Sequence, residues 1–214
     1  MSIPSKSFVR TGGVLAILSS LLYLGTVATN LLGGNDSVYG WLGLLATILF
    51  VPMAVGFYQF LRAERTLTSL QGGVIAYFVG APFVAGIYIL RLLSGAAKPY
   101  LAEASAQATN ATQPLLDMYE AINTILNLIT IDIGSALTLG LGGLLIALAS
   151  LRTSVVPRWV GWLGVVAGVW GFLWLLFGWT APALPLALVA IVASIGMLVS
   201  LAWQIVMGLL MLRE

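Results

Sequence analysis

The 214-residue sequence contains no histidine and no cysteine, and only 7% of its residues are charged. Without imidazole or thiolate ligands the chain cannot build the usual haem, iron–sulfur or zinc sites, and we expect no cofactor and no metal. A soluble domain carries about 25% charged residues, so a chain with so few could not cover its surface in water. The net charge of +2 is small and dispersed, which argues against a nucleic-acid-binding surface.

Long apolar stretches are what the sequence does contain, and hydrophobic residues make up 60% of the chain. A helix needs about 20 apolar residues to cross about 30 Å of hydrocarbon. The pattern predicts an all-α fold: a polytopic membrane helix bundle with six transmembrane helices, in a single domain over residues 1–214. The first stretch is too long for the apolar part of a signal peptide, so we expect it to be retained. The spans are expected at about residues 12–33, 38–61, 71–93, 124–150, 159–180 and 184–212.

Residues 94–123 form the predicted outer connection, in which Pro99 suits the first turn of a short helix. The segment that follows is too long for one span, because a continuous helix over residues 114–151 would run about 57 Å at 1.5 Å per residue. We therefore expect its first turns to stand outside the membrane, or the helix to break near Gly134.

The positions of lysine and arginine predict the orientation of the chain. If the N-terminus is cytoplasmic, seven of the nine basic residues fall in cytoplasmic segments, and only Arg91 and Lys98 fall outside. This bias follows the positive-inside rule, so we expect both termini in the cytoplasm and a multi-pass protein of the cell membrane. The seven are Lys6, Arg10, Arg62, Arg65, Arg152, Arg158 and Arg213.

Asp132 is the clearest carboxylate within a predicted span, and an ionisable residue there is a functional-site hypothesis. Counting 1.5 Å per residue from the span midpoints places Asp132 about 10 Å and Arg91 about 15 Å towards the outer side. Three interpretations remain open: a structural ion pair, a binding or gating site, or an Asp132 carboxylate in headgroup water. The predicted outer cluster comprises Asn30, Tyr88, Arg91, Asn127 and Asp132.

Two further polar groups are weaker signals. Asp117 and Glu120 in the outer connection could do acid–base work or hold a hard cation, but carboxylates spaced i, i+3 are common on helix surfaces. Nearer the cytoplasmic side, neutral polar residues are expected to make hydrogen bonds between helices. These residues are Tyr58, Gln59, Tyr77 and Gln204.

Glycines recur along the fifth predicted span at a spacing that lines one helix face. Such a face lets a neighbouring helix approach closely. The neighbour is either a helix of the same chain or a partner, including a second copy. The four glycines are Gly161, Gly164, Gly168 and Gly171.

Residues 151–164 read LRTSVVPRWVGWLG. This stretch resembles one common in small bacterial membrane proteins of unassigned function, which have about six spans and a short basic loop with Pro-Arg-Trp before a glycine-rich span. The resemblance implies an architecture and no activity. Its residues have a physical role as well: Arg152 and Arg158 hold the loop in the cytoplasm, Pro157 starts the helix, and Trp159 anchors it at the interface.

The sequence favours a non-enzymatic integral membrane protein that acts as an accessory or assembly subunit. It would bind a partner protein, lipid or hydrophobic cofactor through the glycine face and a polar stripe on the fourth segment. On a helical wheel this stripe comprises Glu120, Thr124, Asn127, Ser135 and Thr138. The alternative is a small transporter or channel that uses Asp132 and Arg91 as a charge-paired gate. A membrane enzyme acting through Asp117, Glu120 or Asp132 is the third hypothesis.

Overall fold

A computed structural model describes residues 6–33, 35–62, 68–106, 113–128, 133–180 and 186–214, and these residues are helical apart from short turns. Seven α-helices and one π-helical segment lie within them. In chain order they are α1 (Lys6–Leu31), α2 (Asp36–Arg62), α3 (Thr68–Ala106), α4 (Gln113–Leu128), the π-helical segment (Ala136–Gly142), α5 (Gly143–Ser150), α6 (Arg158–Thr180) and α7 (Leu186–Leu212).

Within the described residues, four helical stretches are long and apolar enough to cross a membrane. They are Lys6–Thr29, Asp36–Arg62, Thr68–Ala96 and Ile195–Leu212. Their length and composition are those of a multi-pass helical membrane protein. Two shorter apolar stretches, Ala136–Ser150 and Arg158–Leu173, accompany them.

The helices pack in a closed ring that follows the order of the chain. α1 packs against α2, and α2 packs against α3. The π-helical segment and α5 together form the fourth member, which contacts α3 on one side and α6 on the other. α7 then closes the ring between α6 and α1. We call the end where α2 ends and α7 ends the basic end, and the end where α1 ends the outer end.

Large side chains from α2, α3 and α7 fill the middle of the ring. Phe50, Phe57, Tyr77 and Trp203 are each at most 1% exposed. The Phe50 and Tyr77 rings meet edge to face with centroids 6.1 Å apart, and Phe57 lies 5.7 Å from the Trp203 ring. These distances are typical of favourable aromatic pairs, so the ring encloses a packed interior.

Many large apolar side chains point outward from the same helices, as a lipid-facing surface requires. In a soluble protein an exposed apolar surface of this extent would mark a binding site or an aggregation hazard. Residues of this kind occur on most members of the ring and include Leu18, Ile48, Ile75, Val166 and Leu198.

The outer connection differs from the prediction. α3 continues without interruption through residue 106, so the expectation that Pro99 opens a separate short helix is wrong. The predicted span at about residues 71–93 lies within the apolar stretch Thr68–Ala96 of the same helix. Residues 94–106 are rich in alanine, the strongest helix former, and that preference outweighs one proline.

The fourth predicted segment is not one continuous α-helix in the described parts of the chain. α4 ends at Leu128, and the helix of residues 133–150 changes to π-helical geometry just after Gly134 before it returns to α geometry at Gly143. Residues 129–132, which include Asp132, lie outside the described residues. The change of helix type falls close to the break expected near Gly134.

Candidate functional site

Three tyrosines from three helices meet in the outer half of the ring. Tyr23 of α1 and Tyr88 of α3 lie edge to face with centroids 6.2 Å apart, and Tyr39 of α2 lies 5.6 Å from the Tyr88 ring. The Tyr88 hydroxyl also lies within side-chain hydrogen-bonding reach of Tyr23 and Thr26. We call Tyr23, Tyr39 and Tyr88 the tyrosine cluster.

A glycine on α2 makes room for this cluster. Tyr88 is 3% exposed, and a Cβ atom added at Gly43 would overlap its ring. α2 can therefore lie directly on the face of the ring, which holds the hydroxyl of Tyr88 towards α1. The hydroxyl groups of Tyr23 and Tyr39 both have the Tyr88 side chain as a hydrogen-bonding neighbour. Each phenol therefore has a polar neighbour in an otherwise apolar interior, as buried hydroxyls require.

Arg91 lies one turn beyond Tyr88 at the outer rim. Its side chain is exposed, and its guanidinium carbon is 5.8 Å from the centre of the Tyr39 ring, within the range of a cation–π contact. The structure therefore places an exposed cation beside the tyrosine cluster.

Of the predicted outer cluster, Tyr88 and Arg91 both contact Tyr39. The prediction omitted Tyr23 and Tyr39. Counting depth along span 2 places Tyr39 in the outer half, whereas Tyr23 falls at the midpoint of predicted span 1. Asp132 and the side chains of Asn30 and Asn127 lie outside the described residues.

Beyond the tyrosine cluster, the end of α3 and the whole of α4 form an extension of the ring. We call residues 95–106 of α3 together with α4 the outer hairpin. α4 has only limited packing against α3. Its exposed apolar side chains Met118 (56%), Ile122 (49%) and Ile125 (56%) follow one another at i, i+4 and i+7, which places them on one helix face. We call these three residues the α4 stripe.

The outer carboxylates sit on this hairpin. Asp117 is exposed and accepts a hydrogen bond from Nε2 of Gln113, 2.9 Å away in the preceding turn. The side chain of Glu120 lies outside the described residues. Within the part of the chain that the structure describes, no three acidic, histidine or cysteine residues come together as a metal site would require.

A second polar cluster lies at the centre of the ring. Ser20 Oγ of α1 is 3.1 Å from Oε1 of Gln204 on α7 and 2.8 Å from the backbone oxygen of Ala16. The Tyr77 hydroxyl lies beside the Gln204 amide. However, the Tyr77 hydroxyl and Nε2 of Gln204 have no bonded partner among the described residues. We call Ser20, Tyr77 and Gln204 the central polar cluster.

A half-turn of the Gln204 amide removes the competition at Ser20. A serine hydroxyl has one proton to donate, so Ser20 cannot donate to both oxygen atoms. With the amide turned, Nε2 of Gln204 donates to Ser20 and Ser20 donates to Ala16. Amide oxygen and nitrogen are assigned by such networks. Of the four neutral polar residues predicted on the cytoplasmic side, Tyr77 and Gln204 come together here, whereas Tyr58 contacts Arg62.

The glycine face of α6 packs within the chain. A Cβ atom at Gly161 would lie 2.5 Å from Leu151, one at Gly168 would lie 2.7 Å from the backbone of Leu144, and one at Gly171 would lie 2.6 Å from Cα of Gly140. Gly164 likewise faces Ala147 and Trp203. The α6 glycines therefore contact helices of the same chain rather than a partner. A partner would have to displace those helices to reach this face.

The resemblance of residues 151–164 to small bacterial membrane proteins stays a prediction. Comparisons with models of known families, with curated proteins and with solved structures give no match for this chain.

Proposed function

We propose that the chain is a non-enzymatic accessory subunit of the cell membrane, which binds a partner membrane protein through the outer hairpin. The observation that carries this proposal is the length of α3. Its 39 residues extend about 58 Å at 1.5 Å per residue, whereas the hydrocarbon core is about 30 Å thick. A large part of α3 therefore stands beyond the hydrocarbon and carries α4 with it.

Six spans with both termini in the cytoplasm form part of the same proposal. The closed ring needs the stretches Ala136–Ser150 and Arg158–Leu173 as its fourth and fifth members, and a ring of alternating helices crosses the membrane six times. The basic residues at the ends of α2 and α7 and at the start of α6 are gathered at one end, which supports a cytoplasmic basic end.

The surface offered to the partner is the α4 stripe. It is apolar, it stands on a helix whose packing among the described residues is limited, and exposed carboxylates of Glu103 and Asp117 lie on the same hairpin. Residues 95–128 contain one basic residue, Lys98, against three acidic ones. The matching partner surface is a helix face that is apolar at its centre and basic at its rim, as interfaces with an apolar core and a polar rim usually are.

Photocrosslinking in native membranes tests this proposal. A photoreactive amino acid is placed at Met118 or Ile122, and at the exposed, lipid-facing positions Ile75 and Phe78 of α3 as matched controls. We expect a discrete protein adduct from the two α4 positions and lipid adducts alone from the controls. The adduct should disappear when Ile125→Gln is added. Lipid adducts at all four positions would contradict the proposal.

A transport function is the second candidate, and the π-helical segment favours it. π-helical turns are rare and are often found at functional sites. This one begins four residues after Asp132 and places Gly142 against the ring of Tyr77, so that it adjoins the central polar cluster. If the purified chain moves ions or solutes across vesicles, and Asp132→Asn abolishes the flux while Asp117→Asn does not, this candidate replaces the first.

A further inference from the structure

A groove between α2 and α3 opens on the outward-facing side of the ring, near the basic end. Its volume is about 330 Å³, and its lining is almost entirely apolar. The lining residues are Val55, Tyr58, Gln71, Val74 and Ile75. Ile75 is 62% exposed, so the groove faces the lipid rather than the interior of the ring.

A cation stands at the end of the groove. The guanidinium carbon of Arg62 is 5.5 Å from the centre of the Tyr58 ring, so the side chain turns back over the groove. Val55, Tyr58 and Arg62 follow one another at i, i+3 and i+7, which is one helix face. Val55 lies about 10 Å further along the helix axis than Arg62, towards the middle of the bilayer. A lipid with its headgroup at Arg62 would extend its acyl chain in this direction.

We propose that this groove is a binding site for one phospholipid with an anionic headgroup. One acyl chain lies along the apolar lining, and the phosphate pairs with Arg62. Phosphatidylglycerol has the required negative charge.

The charge at its end and its lipid-facing position favour a phospholipid as the occupant of the groove. A flexible acyl chain can enter along the open side, and a charge-assisted contact with a phosphate gives the site its preference. The site lies at the opposite end of α3 from the outer hairpin, so it is independent of the proposed partner.

Native mass spectrometry of the full chain in nanodiscs tests the site. The nanodiscs contain equal amounts of phosphatidylglycerol and phosphatidylcholine, and the ratio of the two lipids retained on the protein is measured. Two variants change the site: Arg62→Gln removes the cation, and Ile75→Trp fills the groove from an exposed position. Two matched controls make the same changes elsewhere: Arg152→Gln, which removes an exposed cation, and Val79→Trp, one turn further along α3.

We expect one phosphatidylglycerol to be retained in preference to phosphatidylcholine. Arg62→Gln should lower that preference about tenfold, the loss expected for one charge-assisted hydrogen bond. Ile75→Trp should remove the bound lipid altogether, and both controls should behave as the unaltered chain. Equal retention of the two lipids would overturn the proposal, as would Arg152→Gln or Val79→Trp having the same effect as its groove counterpart.

Discussion

The ring of helices and the outer hairpin use their side chains in opposite ways. In the ring, glycines let helix backbones touch, and aromatic side chains fill the middle. In the outer hairpin, the described side chains of α4 are all exposed, and the helix has limited packing against α3. The close contacts in the ring therefore stabilise the fold itself, whereas the apolar side chains of α4 remain exposed and can contact another molecule.

The largest expected effect is on the ring. Gly171→Ala places a methyl group 2.6 Å from Cα of Gly140, where only backbone surrounds it. Overpacking of this kind costs about 1–3 kcal/mol, so the thermal unfolding midpoint should fall clearly. Gly95→Ala is the matched control, because its nearest neighbour is a side-chain carbon 3.4 Å away. Equal midpoints for the two variants would mean that α6 and the π-helical segment do not touch.

The central polar cluster should give the next largest effect. The Tyr77 hydroxyl lies beside the Gln204 amide, so Tyr77→Phe should destabilise the protein by about 0.6–2 kcal/mol, the range for one hydrogen bond between membrane helices. Tyr58→Phe, which alters a half-buried phenol on the groove face, should change stability much less. Chemical unfolding in detergent measures both. A Tyr77→Phe variant as stable as the unaltered chain would show that the hydroxyl has no partner.

Removal of the cation at the outer rim should have a smaller effect. Arg91→Gln loses an exposed contact with the face of Tyr39, worth about 0.5–1 kcal/mol. Arg91→Lys should retain part of it, because a lysine ammonium also interacts with an aromatic ring. Differential scanning fluorimetry compares the stability of the two variants. If Arg91→Gln destabilises the protein more than Tyr77→Phe does, Arg91 makes a stronger interaction than its contact with Tyr39.

The outer hairpin should show the smallest effect on stability. Ile122 is 49% exposed on a helix that packs little against the ring, so Ile122→Gln should change the unfolding midpoint by less than the uncertainty of the measurement. Exposed substitutions away from special features usually fall within about 0.5 kcal/mol. The same variant should lose the partner adduct. A large loss of stability would instead place Ile122 in the packing of the chain.

Sequence alone predicted the parts of this molecule that depend on composition. The apolar stretches that become α1, α2, α3 and α7 are evident from hydropathy, because lipid demands a long run of apolar residues. The glycine spacing of α6 predicted a close helix contact but not its partner. That choice depends on which helix the ring places beside it.

The extension of α3 and the tyrosine cluster could not be predicted with the same assurance. A proline after Lys98 suggested the start of a new helix, and only the continuous α3 shows that the alanine-rich stretch overrides it. Tyr23, Tyr39 and Tyr88 lie far apart in the sequence and meet because α1, α2 and α3 are consecutive members of the ring. Contacts that depend on the rotation of three helices are not contained in hydropathy.

The most direct test of partner binding labels a single cysteine on the α4 stripe. Because the chain contains no cysteine, Ile122→Cys introduces one thiol at a defined position. Labelling with a membrane-impermeant maleimide is compared in native membranes and in vesicles that contain the purified chain alone, with Tyr100→Cys as the exposed reference. The account predicts that the thiol at position 122 is protected in native membranes and labelled in the vesicles. Equal labelling in the two preparations would contradict a partner on the α4 stripe.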